Sequence, residues 1–461
     1  MSISRQLDHG LFRILLHRNR ATELLLETSP DAFRLPCVPV PAHTRPAQEL
    51  TESIKTSWNL ETYCLFTLPY SSNGRHAVLE AFGPKSESPH GMRWVPVATL
   101  SAHDFEDGID FAILQDSLAT LGRYATGELQ GVFAHPGWLH EITEWVRAEA
   151  KACGLSLTGS FRQLNASPTF SLIRFETNGP AVWFKAVGEP NVHELPITVF
   201  LTWSFPAYLP PILAVHPMGN AWLSVELSNT TLEKLTELSV WERVAENLAE
   251  LQIASIGKCC RLLDNQCRDL RLSKLIDLIP PFFARMAGFM AAQQKQSPPP
   301  LTNLELDRLG ERLQEAISVL QDLAFPETLG HIDFNPGNIL ITPSRCVFLD
   351  WAEACVTHPF TTFEYLAEHL RRSGIADAGG SNRVAEAYLR PWRSFFSAED
   401  LTRTIAVSPL VAVFSYAVAA NAWRSPGTSH DSLEAGFLRS LTRRMHSEAN
   451  RLPDRGARCP V

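Results

Sequence analysis

Residues 330–354, "GHIDFNPGNILITPSRCVFLDWAEA", set two aspartates and an asparagine between two runs of β-branched and aromatic residues. His331, Asp333 and Asn338 fall in "HIDFNPGNIL"; strand-like "ILIT" follows, then the turn "PSR", then the strand "CVFLD" ending at Asp350. A hairpin whose polar loops share one end brings Asp333, Asn338 and Asp350 together. Such a set of oxygens suits phosphoryl transfer. One carboxylate takes the proton of an attacking hydroxyl, while an amide oxygen and a second carboxylate hold Mg²⁺ ions that bridge nucleotide phosphates. A cation held mainly by its substrate's phosphates needs only one or two protein ligands. The competing reading is a polar hairpin in which Asn335, Pro336 and Gly337 are ordinary turn residues.

The pattern H-x-D-x-x-x-x-N, an apolar strand and then Asp-Trp resembles the catalytic core of the aminoglycoside phosphotransferase and choline kinase family, which is similar in fold to protein kinases. The resemblance implies that Asp333 is the catalytic base, Asn338 a metal ligand and Asp350 the main metal ligand, with His331 bracing the loop. It also implies a strand lysine, paired to a helix glutamate, that reaches the nucleotide phosphates. Lys185 lies mid-strand in "VWFKAV", where a lysine needs a partner. Glu194 is the expected partner and Glu189 its rival, and Pro196 fits the following helix only in a first turn.

A phosphate-covering loop is expected at "GSFRQLNASPTFSL" (159–172), where Gly159 alone permits close backbone approach. Ser160, Asn165 and Ser167 are either donors there or simply solvated. The crossing between lobes falls near Val225–Ser228. Glu226 matches a glutamate of the family there, with its backbone facing adenine. "AENLAELQ" matches an early large-lobe helix, with Leu248 and Leu251 in the core. Glu353 is either a contact to a second metal or the acceptor, or a solvated carboxylate. Trp351 and His358 are packing residues.

Positioning these residues takes an α+β architecture. The expected plan is a small α/β domain over 1–136, a helical bridge over 137–154, a β-rich kinase-like small lobe over 155–228, a helical large lobe over 229–450 and a tail over 451–461. "FRILLH", "TELLLET", "TYCLFTLP" and "HAVLEAF" are strand-like, and "AQELTESIKTSW" places Leu50, Ile54 and Trp58 on one helix face. "SLIRFET", "NGP" and "AVWFKAV" form a hairpin signal. The layout of the first domain resembles a Nudix hydrolase whose metal-binding glutamates have become Ser53, Thr56 and Ser57. Under that resemblance the domain binds or braces and does not hydrolyse. A generic α/β domain is the alternative.

A length of 461 residues calls for two or three domains. Net charge is −8, with 41 basic and 49 acidic side chains and no basic block, so nucleic-acid binding has no electrostatic support. Nine scattered cysteines without a CxxC pair read as reduced thiols. The first twenty residues lack a signal-peptide core, and "LVAVFSYAVAANAW" (410–423) is shorter than the ~20 residues of a membrane span and reads as a buried helix. The expectation is a cytoplasmic small-molecule kinase. It takes ATP or another NTP with Mg²⁺ and passes the γ-phosphate to a hydroxyl acceptor, without nucleic-acid or membrane partners. The alternative is a catalytically weak, nucleotide-binding regulatory protein. Acceptor identity, ATP against GTP and oligomeric state stay open at this point.

Overall fold

The computed structural model describes residues 9–71, 74–83, 87–217, 219–227, 230–295, 297–420, 423–425 and 432–452. Ser228 of the expected crossing, and all but the first two residues of the 451–461 tail, lie outside them. The chain divides into two compact units, Met1–Leu195 with Pro211–Leu227, and Pro196–Pro210 with Ser228–Val461. The first is rich in sheet and the second in helix, an α+β arrangement.

In the first unit β1 (His9–Arg18), β2 (Glu23–Thr28), β3 (Phe33–Arg34) and β4 (Cys37–Pro41) precede α1 (Pro46–Trp58). Then come β5 (Thr62–Ser71), β6 (Gly74–Ala81) and β7 (Met92–Pro96), and helices α2 (Gly108–Ala125) and α3 (Trp138–Ala152). The described strands form a seven-stranded sheet in the order β3-β2-β1-β6-β5, with β4 on β1 and β7 on β2; β1 and β6 run parallel. Successive strand side chains face opposite ways, so the unbroken run Ile14-Leu15-Leu16 requires apolar cover on both faces. Ile14 and Leu16 pack with Leu50 and Ile54 of α1. Leu15 packs with Ile113 of α2 and Trp138 of α3.

A second sheet, wholly antiparallel, orders β11-β12-β10-β9-β8. Its strands are β8 (Leu157–Ser167), β9 (Phe170–Thr177), β10 (Val182–Ala186), β11 (Ile212–Val215) and β12 (Ala221–Val225); α4 (Glu194–Ser204) follows β10. The stretch expected to form a phosphate-covering loop is mostly strand. Only Pro168 and Thr169 separate β8 from β9. Two features account for this. Phe161 sits opposite Phe175, and the buried Gln163 side chain exchanges hydrogen bonds with both backbone groups of Cys64, which pins β8 in extended form. Gly159, at φ +94°, occupies the irregularity between the Leu157 and Phe161 pairings.

The second unit takes in Pro196–Pro210, with most of α4, and resumes with β13 (Thr230–Thr231) and α5 (Leu238–Ser255), then α6 (Cys259–Asp264), β14 (Arg268–Leu270), α7 (Leu272–Ala291) and α8 (Asn303–Asp322). The strands β15 (Thr328–His331), β16 (Ile339–Ile341), β17 (Cys346–Phe348) and β18 (Ala354–Thr357) carry the opening motif. Helices α9 (Pro359–Ser373), α10 (Ala378–Trp392), α11 (Ala398–Ala419) and α12 (Leu433–Ala449) follow. Leu248 and Leu251 of α5 are buried among residues of α9 and α10. The buried helix read at 410–423 actually starts twelve residues earlier, capped by Ser397, because a polar first turn with Glu399 and Asp400 precedes the apolar run. Among the described residues α11 alone is long and apolar enough to cross a membrane, and 61% of its apolar window is buried inside the protein.

Candidate active site

Two small three-stranded sheets hold the motif: β14-β18-β15 and β13-β16-β17. β15 ends at His331, so Asp333 leaves the sheet just past its edge. The His331 ring is buried, and its two nitrogens tie the site together. The Asp333 N–H donates to Nδ1 at 3.1 Å, and Nε2 lies 3.0 Å from the Leu349 carbonyl. An accepting Nδ1 leaves the proton on Nε2, so this imidazole is neutral; burial lowers its pKa accordingly. One side chain therefore fixes Asp333 and the residue before Asp350 at the same time.

Asn335 caps the short turn Pro336–Asn338 by accepting from the Gly337 N–H at 2.9 Å. The Asn338 amide nitrogen donates to the Asp333 carbonyl at 3.1 Å and reaches Asp333 Oδ2 at 3.4 Å. Its backbone carbonyl accepts from the Leu349 N–H at 2.9 Å. Asp333 and Asn338 are thus in contact, and Asp350 is two residues beyond β17, whose Phe348 pairs with Ile339, the residue after Asn338. Asp350 is exposed and sits at φ 62°, ψ 61°, a left-handed conformation that costs a non-glycine residue about 1–2 kcal/mol. Strain of this kind gathers where a side chain must be aimed. Trp351 is buried, with its indole N–H on the Phe348 carbonyl at 3.2 Å. Glu353 pairs with Arg268 at 3.0 Å. His358 packs against Phe325 and Phe360, and burial lowers its pKa to about 3.

In the first unit Lys185 projects from β10 opposite Trp222, over whose ring its ammonium lies 5.7 Å from the centroid. It forms an ion pair with Glu194 at 2.5 Å; Glu194 is 2% exposed, whereas Glu189 is exposed. Pro196 is the third residue of α4, in the first turn, where a missing N–H removes no helical bond. The Glu226 carboxylate takes a two-pronged grip from Arg174 at 2.7 and 2.6 Å and accepts from Trp183 Nε1 at 3.2 Å. Its backbone N–H donates to the Ala181 carbonyl at 2.8 Å, extending the β10–β12 pairing. Arg174 holds the Glu226 carboxyl below its usual range.

Sequence reasoning missed the cavity of about 210 Å³ beside Asp333. Tyr365, Glu368, His369 and Arg372 of α9, Tyr416 of α11 and Arg444 of α12 line it together with Asp333. The only trace in the sequence is that Glu364, Glu368 and Arg371 recur at helical spacing along α9, which places them on one helix face without saying what that face meets.

Residues 219–395 match the family model described as the phosphotransferase enzyme family. The matched segment contains Glu226, Asp333, Asn338 and Asp350, and it does not reach the first 218 residues; the resemblance to Nudix hydrolases drawn there gains no support. Among solved structures similar to the chain is the ethanolamine kinase of Plasmodium vivax, 16% identical, covering 65% of this chain and 85% of its own, with a TM-score of 0.44. A choline kinase from Cryptosporidium parvum is 13% identical, covering 67% and 95%, with a TM-score of 0.44. A macrolide 2'-phosphotransferase from Brachybacterium faecium is 14% identical, covering 68% and 100%, with a TM-score of 0.40. Among curated proteins none matches the sequence.

Proposed function

We propose that this protein is an ATP-dependent phosphotransferase that moves the nucleotide γ-phosphate to a hydroxyl of a small molecule. The observation that carries the reading is the His331 clamp, which locks Asp333 and Asn338 in one loop and ties that loop to Leu349, next to the strained Asp350. In this reading Asp333 accepts the acceptor's hydroxyl proton as that oxygen bonds to the γ-phosphorus. The bond between the γ-phosphorus and the β–γ bridging oxygen breaks, and its electron pair leaves with ADP. Lys185, oriented by Glu194, is the group we assign to the α and β phosphates, with Glu226 at the adenine end.

The donor set suits Mg²⁺. The Asn338 nitrogen is directed at Asp333, which leaves its amide oxygen as the ligand, and Asp350 offers an exposed carboxylate. When bound, the ion neutralises charge on the transferring phosphate. We assign 155–228 and 229–450 to the two lobes of the kinase-like domain, with 1–136 and its bridge 137–154 appended. The eight described cysteines, all free, support a cytoplasmic site of action.

The test is ADP release by the purified protein, with and without Mg²⁺, over a panel of hydroxyl acceptors. Mg²⁺-dependent release that collapses in Asp333→Asn supports the reading. Nucleotide binding without turnover on any acceptor, unchanged in Asp333→Asn, replaces it with a regulatory role.

A further inference from the structure

The cavity beside Asp333 has two unlike walls. One is apolar and aromatic: Tyr365 meets Tyr416 edge-on at 5.4 Å between ring centres, and Tyr416 meets Phe437 at 5.9 Å. The other is charged. Glu368, whose side chain is 12% exposed, receives Arg371, Arg372 at 2.6 Å and Arg444 at 3.0 Å, so three guanidiniums share one carboxylate. Arg372 and Arg444 line the cavity itself. Their excess positive charge has a physical trace, since Arg444 is depressed by burial and by Arg372 beside it.

The remaining acidic groups do not cancel this excess: Glu448, which also acts on Arg444, is itself paired with Arg451 at 2.9 Å. Asp333 is directed to the acceptor hydroxyl. Burial pushes the Glu364 carboxyl up to about 8, so near neutral pH it is protonated and able to donate a hydrogen bond. Burial and the neighbouring Arg372 lower the His369 pKa, which favours its neutral form. The Tyr365 hydroxyl is buried in this cavity without a hydrogen-bond partner among the described residues. A buried hydroxyl left unpaired is costly, and a ligand atom that meets it removes the cost.

Resting on the phosphotransferase reading, we propose that the acceptor is a hydroxy acid. Its hydroxyl faces Asp333, its apolar body lies on Tyr416 and Phe437, and its carboxylate meets Arg372 and Arg444 with the Tyr365 hydroxyl as a further donor. A polycation or a quaternary amine is the wrong charge for that wall. The planar guanidinium fork matches a carboxylate with two parallel hydrogen bonds. The size suits a compact molecule.

The experiment uses three probes of one shape and different charge: 4-(hydroxymethyl)benzoate, its carboxamide, and 4-(aminomethyl)benzyl alcohol. Binding to the full chain is measured by calorimetry with and without Mg²⁺-ADP. The benzoate is expected to bind at least tenfold more tightly than the carboxamide, and the amine most weakly. Arg444→Gln is expected to remove that tenfold preference while leaving carboxamide affinity unchanged; Arg372→Gln serves should the first variant fail to fold. Equal affinities for acid and amide, preference for the amine, or no binding of the benzoate overturns the proposal. Nucleotide affinity is a separate readout: normal Mg²⁺-ADP binding with no acid preference sinks the acceptor assignment alone. Acid preference without any nucleotide binding sinks the phosphotransferase reading instead.

Discussion

The loop that carries Asp333 and the cavity wall that faces it are built on different scales of the chain. In the loop, His331 reaches Asp333 and Leu349, and Asn338 reaches Asp333, so every tie spans fewer than twenty residues. In the wall, Tyr365 meets Tyr416, and Glu368 meets Arg444, contacts that join helices far apart in sequence. Chemistry common to a family can be fixed locally, whereas selection of an acceptor draws on whichever helices the core brings alongside. Disabling each region should therefore give distinct losses. The largest is expected from Asp350→Ala. Groups one layer removed from a metal are already worth about 10–100-fold in its affinity, so losing this carboxylate should weaken Mg²⁺-dependent nucleotide binding by more than about 100-fold. Titration with a non-hydrolysable ATP analogue checks this, and intact affinity would remove Asp350 from the metal. Next comes Asp333→Asn, expected to lower kcat by about 10²–10⁴ with nucleotide affinity kept, the range for lost general-base help.

The His331 clamp tests whether the loop is more than a turn. His331→Ala leaves the Leu349 carbonyl and the Asp333 N–H without their ring partner, a cost of about 1–3 kcal/mol in stability for a buried group. Because the ring also sets where Asp333 and Asp350 stand, kcat should fall more than tenfold with little change in KM. Lower thermal stability with unchanged kcat would reduce His331 to a packing residue.

What could be read in the sequence follows the same division. The residues of the loop, the two strands around it and the Asn178-Gly179 hairpin all announce themselves through short-range chemistry: turn residues, alternation and spacing. The strand at 157–167 did not. Its polar face looks like a loop, and what keeps it extended is Gln163 bonded to Cys64, ninety-nine residues away. The start of α11 was hidden because its first turns are polar and only its later ones are core. The Glu226 backbone shows a related effect. Its N–H lies next to the crossing, yet the ladder takes it up through Ala181, and no pattern of residue types reveals that.

The smallest predicted effect belongs to Glu364, whose unusual carboxyl exists only because of tertiary burial. The charged groups acting on it are Arg371 and Arg444, which favour ionisation, and Glu448, which opposes it; desolvation dominates. Between the ordinary carboxylate value and about 8, the folded protein holds a proton here that the unfolded chain has released. Stability must then fall as pH rises through that window. Melting measured from pH 5 to pH 8 should therefore drop in the native protein and drop less in Glu364→Gln, whose amide keeps the donor and cannot ionise. A difference of a few degrees is expected, since about 1 kcal/mol moves the Tm of a unit of this size by about 2–4 °C. Identical pH profiles would mean that Glu364 is solvated and charged, and the cavity wall would then lose a neutral donor and gain a negative charge facing the proposed acid.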